Sequence, residues 1–274
     1  MLRSGSIMDD IIKYQEKIKK LQSNFMLITA MDTLVTARDT NVQVHRIQQT
    51  LTTMVHPNVQ MVQAAQYFNS CPRPSRIFHG RQAILDQMSN YFKQDDGKQH
   101  VYLLYGLGGS GKTQLALKFI AQSLTHFSDI FLIDTSTIGA IETGLKSIAV
   151  AKSSGTAAED ALLWLTRKQE QWLLLFDNAD DPKINLNTWL PQCDHGNIII
   201  TSRNPELCVY AGSSTQVSDM QETEAVELLI KAAVQKSTPE NIKIAAEIVK
   251  VLYYLPLAIV QAGAFIAKSG SMDI

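Results

Sequence analysis

Downstream of Ser75 the chain alternates short apolar runs with longer amphipathic stretches. The runs are Val101 to Tyr105, Ile130 to Asp134, Trp172 to Asp177, Asn197 to Thr201 and, less pronounced, Thr215 to Val217. Near-continuous apolar runs suit strands buried on both faces of a parallel sheet, and the stretches between them suit the helices that cover it. The pattern predicts helices over about Arg81 to Phe92, Lys112 to Leu124, Ala140 to Val150, Ala157 to Lys168 and Thr223 to Ala233. Two more are predicted over about Glu240 to Leu252 and Leu257 to Ala267. No strand is predicted after Val217. The expected fold is therefore α/β, a parallel sheet flanked by helices, with a helical subdomain at its C-terminal end.

Upstream the periodicity differs. Ile11, Tyr14, Ile18, Leu21, Phe25, Ile28 and Val35 follow a three-four spacing, one apolar stripe on a helix, with Asp32 breaking the register. Fewer than four clean heptads leave a coiled-coil seam, a membrane-surface face and a bundle or partner helix all open, the last being the simplest. Helical hints around Val42 to Val55 end at Pro57, and irregular chain is expected up to residue 70. Cys71 to Ser75 holds two prolines and reads as a linker. The expected organisation is an N-terminal helical segment over residues 1–70, a sheet domain over 71–220 and a helical subdomain over 221–274.

Composition narrows the setting. The chain has 274 residues, 45% apolar and 19% charged, which is that of an ordinary globular protein rather than a disordered one. A formal charge of −1 gives no electrostatic reason to expect nucleic acid or an anionic membrane as partner. Cys71, Cys193 and Cys208 show no metal spacing and cannot all pair within the chain, which suits a reducing cytoplasm. Asp9, Asp10, Lys13 and Glu16 interrupt any secretory signal. The longest apolar stretch, Val251 to Ala267, contains Pro256 and Gln261 and falls short of the roughly 20 residues that span a bilayer.

The chemistry is concentrated from Gly106 to Thr113, which matches G-x-x-x-x-G-K-[ST] between an apolar strand and an amphipathic helix. Gly106, Gly108, Gly109 and Gly111 let the backbone turn so that successive N–H groups, with Ser110, form an anion nest, and the following helix adds its positive end. Lys112 is expected to reach the β- and γ-phosphates, Thr113 to ligate magnesium, and Gln114 to lie beside them. The alternative, a flexible Gly-Ser turn, does not account for the flanking strand and helix.

Two further strands carry candidate residues. Trp172 to Asp177 is an apolar run ending in an acid that can hold magnesium through water, as in a Walker B strand. The next residue, where many hydrolysing P-loop proteins place a second acid, is Asn178. An amide cannot accept a proton from attacking water, so slow hydrolysis is expected unless Asp180 or Asp181 substitutes. Both acids read equally as turn residues before Pro182. The strand from Asn197 ends in Thr201, Ser202 and Arg203, and an arginine at the carboxyl end of a parallel sheet can sense a γ-phosphate. Lys112, Asp177 and Arg203 are the expected catalytic set.

In these residues the sequence resembles the NB-ARC class of STAND switch ATPases, and more narrowly the nucleotide-binding part of fungal NOD-like receptors. The resemblance covers about Pro72 to Ser269. Its carriers are the block Ser75 to Arg81, the P-loop, Leu173 to Asp181, Ile198 to Arg203, and Leu255 to Ala258 running on to Ile266. It implies that Ile77, Phe78 and Arg81 lie beside the adenine and ribose, that Pro256 caps the base or reaches toward the phosphates, and that the nucleotide is ATP or ADP with magnesium. Pro256 read by itself is a proline in a first helical turn, and His79 an ordinary partly buried histidine.

The resemblance further implies a cycle in which ADP holds the domains closed, ATP opens them, and opened molecules self-associate and signal to a protein partner through the N-terminal helices. The family's full pattern continues into a winged-helix domain and ligand-sensing repeats, neither of which is read before Ile274. A fragment of a longer receptor and a short form are both compatible with that. The competing expectations are an ordinary P-loop ATPase or kinase, and a nucleotide-binding scaffold without a cycle.

Overall fold

The computed structural model describes residues 68–94 and 97–269. The stripe from Ile11 to Val35, the helical hints from Val42 to Val55 and most of the expected N-terminal segment lie outside the described residues.

The strands are β1 (Phe68–Asn69), β2 (His100–Tyr105), β3 (Asp129–Asp134), β4 (Trp172–Asp177), β5 (Asn197–Ser202) and β6 (Ser213–Gln216). They form one parallel sheet in the order β1-β3-β4-β5-β2-β6. The helices are α1 (Gln82–Phe92), α2 (Lys112–Gln122), α3 (Ile138–Ala151), α4 (Ala158–Arg167), α5 (Glu222–Ala232), α6 (Pro239–Val251) and α7 (Pro256–Ser269). Short 3-10 turns lie at Leu186–Thr188 and Pro205–Tyr210.

Each central strand sends alternate side chains to opposite faces, and each face is covered by its own helices. On one side Leu103, Phe131, Ile133, Leu174, Phe176, Ile198 and Ile200 pack with Ile141 and Leu145 of α3 and Ala161 and Leu165 of α4. On the other, Tyr102, Leu104, Ile130, Leu173, Leu175 and Ile199 pack with Leu85 and Met88 of α1 and Leu115, Phe119 and Ile120 of α2. Strands covered on both faces have no polar-outward positions, which is why β4 reads as an unbroken apolar run. Each leucine or isoleucine so buried contributes on the order of 1.5–3 kcal/mol.

Local chemistry sets several helix starts. Thr137 accepts from the Ala140 amide at 3.1 Å and Thr238 from the Asn241 amide at 3.2 Å, side-chain caps for α3 and α6, and Pro239 occupies the first turn of α6. Helix α7 likewise begins at Pro256. Helix α5 packs against both α6 and α7, and α5 and α7 cross closely at Gly263, where an added Cβ would stand 2.4 Å from the Ala232 Cβ. No helix among the described residues is long and apolar enough to cross a membrane.

All five expected strands and seven expected helices are present, with ends shifted by at most two residues. The difference is β1, in a stretch read as irregular chain. Two residues are too few to show a period, and Phe68–Asn69 owes its strand geometry to pairing with Asp129 and Ile130 of β3. The expected linker is also less independent than its prolines suggest, because Cys71 packs against the core on the α1 and α2 side.

Candidate nucleotide site

The carboxyl ends of β2, β4 and β5 meet at one edge of the sheet. Strand β2 ends at Tyr105, and the loop after it is fixed by its neighbours: the Gly106 amide donates to the Ser202 carbonyl at 3.1 Å, and the Val217 amide to the Tyr105 carbonyl at 2.7 Å. The loop then turns through Gly109 at φ +80° and Gly111 at φ +93° into α2. These left-handed values turn the backbone so that an anion nest can form at the start of the helix. Lys112 folds back over the loop, its Nζ donating to the carbonyls of Gly106 and Leu107 at 2.9 Å each. Burial pulls its ammonium below the ordinary lysine range, Asp180 acts against that, Arg203 with it, and Asp177 against it.

Within the loop, Ser110 is 2% exposed, and its Oγ has no hydrogen-bond partner among the described residues. An unsatisfied buried hydroxyl is costly, and here it sits beside a nest of amides suited to an anion, which is what a phosphate-binding loop needs. The residues for magnesium also fit. Thr113 Oγ1 donates to Asp177 Oδ1 at 2.8 Å, which sets two hard oxygen donors side by side at the start of α2.

The loop opens onto a cleft of about 610 Å³. Gly108 to Gln114, Asn178, Asp180, Thr201 and Arg203 line its polar part, while Ile77, Phe78, Met220, Leu228, Pro256, Leu257 and Val260 line its apolar part. Arg81 lies in the same cleft. It adopts φ 64°, its amide donates to Glu224 Oε1 at 2.9 Å, and its guanidinium donates to the Ser218 carbonyl. Burial lowers its pKa from the ordinary arginine value, with Glu224 and Asp219 opposing. His79 Nε2 pairs with Glu227 Oε2 at 2.7 Å, and the Ser75 amide donates to Gln114 Oε1 at 2.8 Å. The loop before α1 is thus held by α2 on one side and by α5 on the other.

The structure gathers Ile77, Phe78, Arg81, Gly108 to Gln114, Arg203 and Pro256 around one cleft. Gly106 stands behind the loop, where a Cβ would meet the Val217 carbonyl oxygen at 2.4 Å, and Asp177 sits at its edge through Thr113. The two acids considered as stand-ins for a second carboxylate separate. Asp181 accepts from the Lys183 amide at 2.9 Å and serves the turn. Asp180 lines the cleft and is bound to Arg203. Sequence reasoning missed three contributions: Thr201 Oγ1, which donates to Asp177 Oδ1 at 2.6 Å and accepts from the Asn178 amide at 2.9 Å; Glu224; and the apolar wall from Met220, Leu228 and Val260. Thr201 was legible as a hydroxyl at a strand end, whereas Glu224 meets Arg81 across 143 positions and has no local signal.

No family model matches the chain. A nucleotide-binding leucine-rich repeat (NLR)-like protein of Hyaloscypha variabilis is 27% identical over 218 residues, 70% of this chain and 22% of that protein. The regulatory protein AfsR of Streptomyces griseus is 27% identical over 195 residues, 66% of this chain and 20% of its own length. The chain thus spans about a fifth of the curated relatives it matches. Among solved structures, a STAND protein with a tetratricopeptide repeat sensor from Pyrococcus horikoshii aligns with a TM-score of 0.47 at 21% identity, over 70% of this chain and 30% of that one. A RuvB mutant from Thermotoga maritima aligns with a TM-score of 0.47 at 14% identity, over 73% and 66%. The P-loop, the strand and helix that flank it and the sheet order are those of a P-loop NTPase, and over 66–70% of its length the chain is similar to an NLR-like protein and to AfsR.

Proposed function

We propose that this domain is an ATP/ADP-binding conformational switch with slow hydrolysis, working in the cytoplasm, whose output is self-association or signalling to a protein partner. The observation that carries the reading is the Leu257 amide donating to the Gly109 carbonyl at 3.2 Å. It joins the first turn of α7 to the phosphate-binding loop, so a ligand in the loop touches the helical trio as well as the sheet. A nucleotide shifts a two-state equilibrium only through different affinity for the two states, and a cleft walled by both parts supplies that difference.

The residues take distinct roles in this reading. Lys112 exchanges the Gly106 and Leu107 carbonyls for phosphate oxygens, and the loop amides with Ser110 hold the remaining charge. Thr113 and Asp177 hold magnesium, which when bound neutralises phosphate charge. Ile77, Phe78 and the apolar wall exclude water from the base, and Arg203 answers the terminal phosphate. Asn178 offers no carboxylate to attacking water, which favours a long-lived triphosphate state over turnover.

The test is the identity of the nucleotide that copurifies with the protein, together with solution mass before and after exchange to ATP. Tightly held ADP and a larger assembly after exchange are expected. An empty site with rapid phosphate release and unchanged mass supports an ordinary ATPase instead.

A further inference from the structure

Asp180 lies three residues past Asp177, and both of its carboxylate oxygens are committed. Oδ1 accepts from the Arg203 backbone amide at 2.6 Å and from Ser202 Oγ at 3.3 Å, and Oδ2 accepts from Arg203 Nε at 2.6 Å. The pair joins the ends of the neighbouring strands β4 and β5, and both residues line the cleft. Their exposures differ: the Asp180 side chain is 14% exposed and that of Arg203 is 64% exposed. The acid is thus a fixed anchor and the guanidinium projects from it. Arg203 Cδ lies 4.0 Å from where a Cβ on Gly108 would stand, so the arginine passes over the phosphate loop.

With Nε held, the guanidinium turns its two Nη groups outward, and these have no partner among the described residues. A free arginine side chain loses about 2 kcal/mol of rotamer entropy on ordering. One already anchored at its backbone and Nε loses less when it binds an anion.

We propose that Asp180 is a positioning residue that aims Arg203 at the terminal phosphate of a bound triphosphate, and so sets the preference for tri- over diphosphate. The proposal rests on the nucleotide-switch reading above. It also settles what Asp180 does in place of the carboxylate missing at Asn178. A general base needs an oxygen facing water, whereas both oxygens here are occupied by donors and their charge is matched by a guanidinium.

The test measures, by calorimetry in the presence of magnesium, affinities for ADP and for a non-hydrolysable ATP analogue in the wild type, Asp180→Ala, Asp180→Asn, Arg203→Ala and the Asp180→Ala/Arg203→Ala double variant. Loss of one ordered charge-assisted contact predicts a fall of about tenfold in the analogue-over-ADP preference for Asp180→Ala. Asp180→Asn keeps one acceptor oxygen and is expected to fall between it and the wild type; it also carries the test if the alanine variant fails to fold. In the double variant the preference is expected to be that of Arg203→Ala, with no further loss. An unchanged preference accompanied by slowed phosphate release overturns the proposal in favour of a base, and so does an additive effect in the double variant. Wild-type protein that binds neither nucleotide overturns the underlying reading instead.

Discussion

The Leu257 amide and the Gly109 carbonyl are 3.2 Å apart, which makes the first turn of α7 a direct neighbour of the phosphate-binding loop. The contact is close because Gly109 has no side chain: a Cβ there would lie 3.0 Å from Leu257 Cβ and 3.2 Å from Leu257 Cδ2, at a φ of +80°. Gly109→Ala is expected to cost about 1–3 kcal/mol, read as a lower melting temperature, and to weaken ADP binding. Adding Leu257→Ala removes the Cδ2 contact and keeps the Cβ one, so it should recover only a fraction of the packing loss and none of the backbone part. Full recovery in the double variant would show that φ is not strained.

Lys112→Ala removes the ammonium that folds back over the loop, and nucleotide affinity is expected to fall by about two orders of magnitude. Without nucleotide, the melting temperature should change little, because the contact it gives up to Leu107 is exposed and that to Gly106 is only partly buried, so water can replace the ammonium. Unchanged affinity in calorimetry sinks the site assignment.

Much of this was legible because the physics is local. Strand β4 announces itself since both faces are buried, and the loop from Gly106 to Thr113 because its turns demand glycine at fixed spacing. What was not legible depends on which strands are neighbours. Asp180 meets Arg203 only because β4 and β5 lie side by side, which no spacing in the sequence states. Glu224 and Glu227 of α5 meet Arg81 and His79 from far along the sequence, through helix packing that leaves no local signal either. The short strand β1 exists through its partner alone.

Asn178 occupies the left-handed region at φ 66° and lines the cleft, a conformation that aspartate tolerates as readily as asparagine. Asn178→Asp is therefore expected to fold, and to raise the phosphate-release rate by on the order of tenfold or more if water activation limits turnover. Unaltered turnover sinks the idea that the missing carboxylate is limiting.

Burial first, and the charge of Asp177 second, push the Cys71 thiol up from 9.0 to about 12. At about pH 9 it should stay protonated and react slowly with an alkylating reagent, while the exposed Cys208 is labelled first, an order that peptide mass spectrometry reads directly. The same shift has a stability consequence. Between 9.0 and about 12 the unfolded chain releases this proton and the folded chain keeps it, so the thiol's contribution to stability falls as pH rises through that window. Rapid labelling of Cys71 in the native protein would show that it is not packed against the core.

Tyr253 and Tyr254 adopt φ values of 51° and 54° in succession, between α6 and α7. Tyr253 is 76% exposed, so its ring contributes little packing, and its conformation comes from hydrogen bonds, its own amide to the Lys250 carbonyl at 3.2 Å and the Tyr254 amide to the Val249 carbonyl at 3.0 Å. A left-handed residue with a Cβ costs about 1–2 kcal/mol, partly offset by the greater unfolded-state entropy of glycine. Tyr253→Gly is expected to raise stability by up to about 1 kcal/mol in thermal or denaturant unfolding. Tyr253→Ala, which keeps the Cβ, should gain nothing and controls for loss of the ring. A glycine variant less stable than the alanine variant would mean that this turn is not strained at Tyr253, and that the segment leading into the contact between Leu257 and Gly109 is held by something other than its backbone hydrogen bonds.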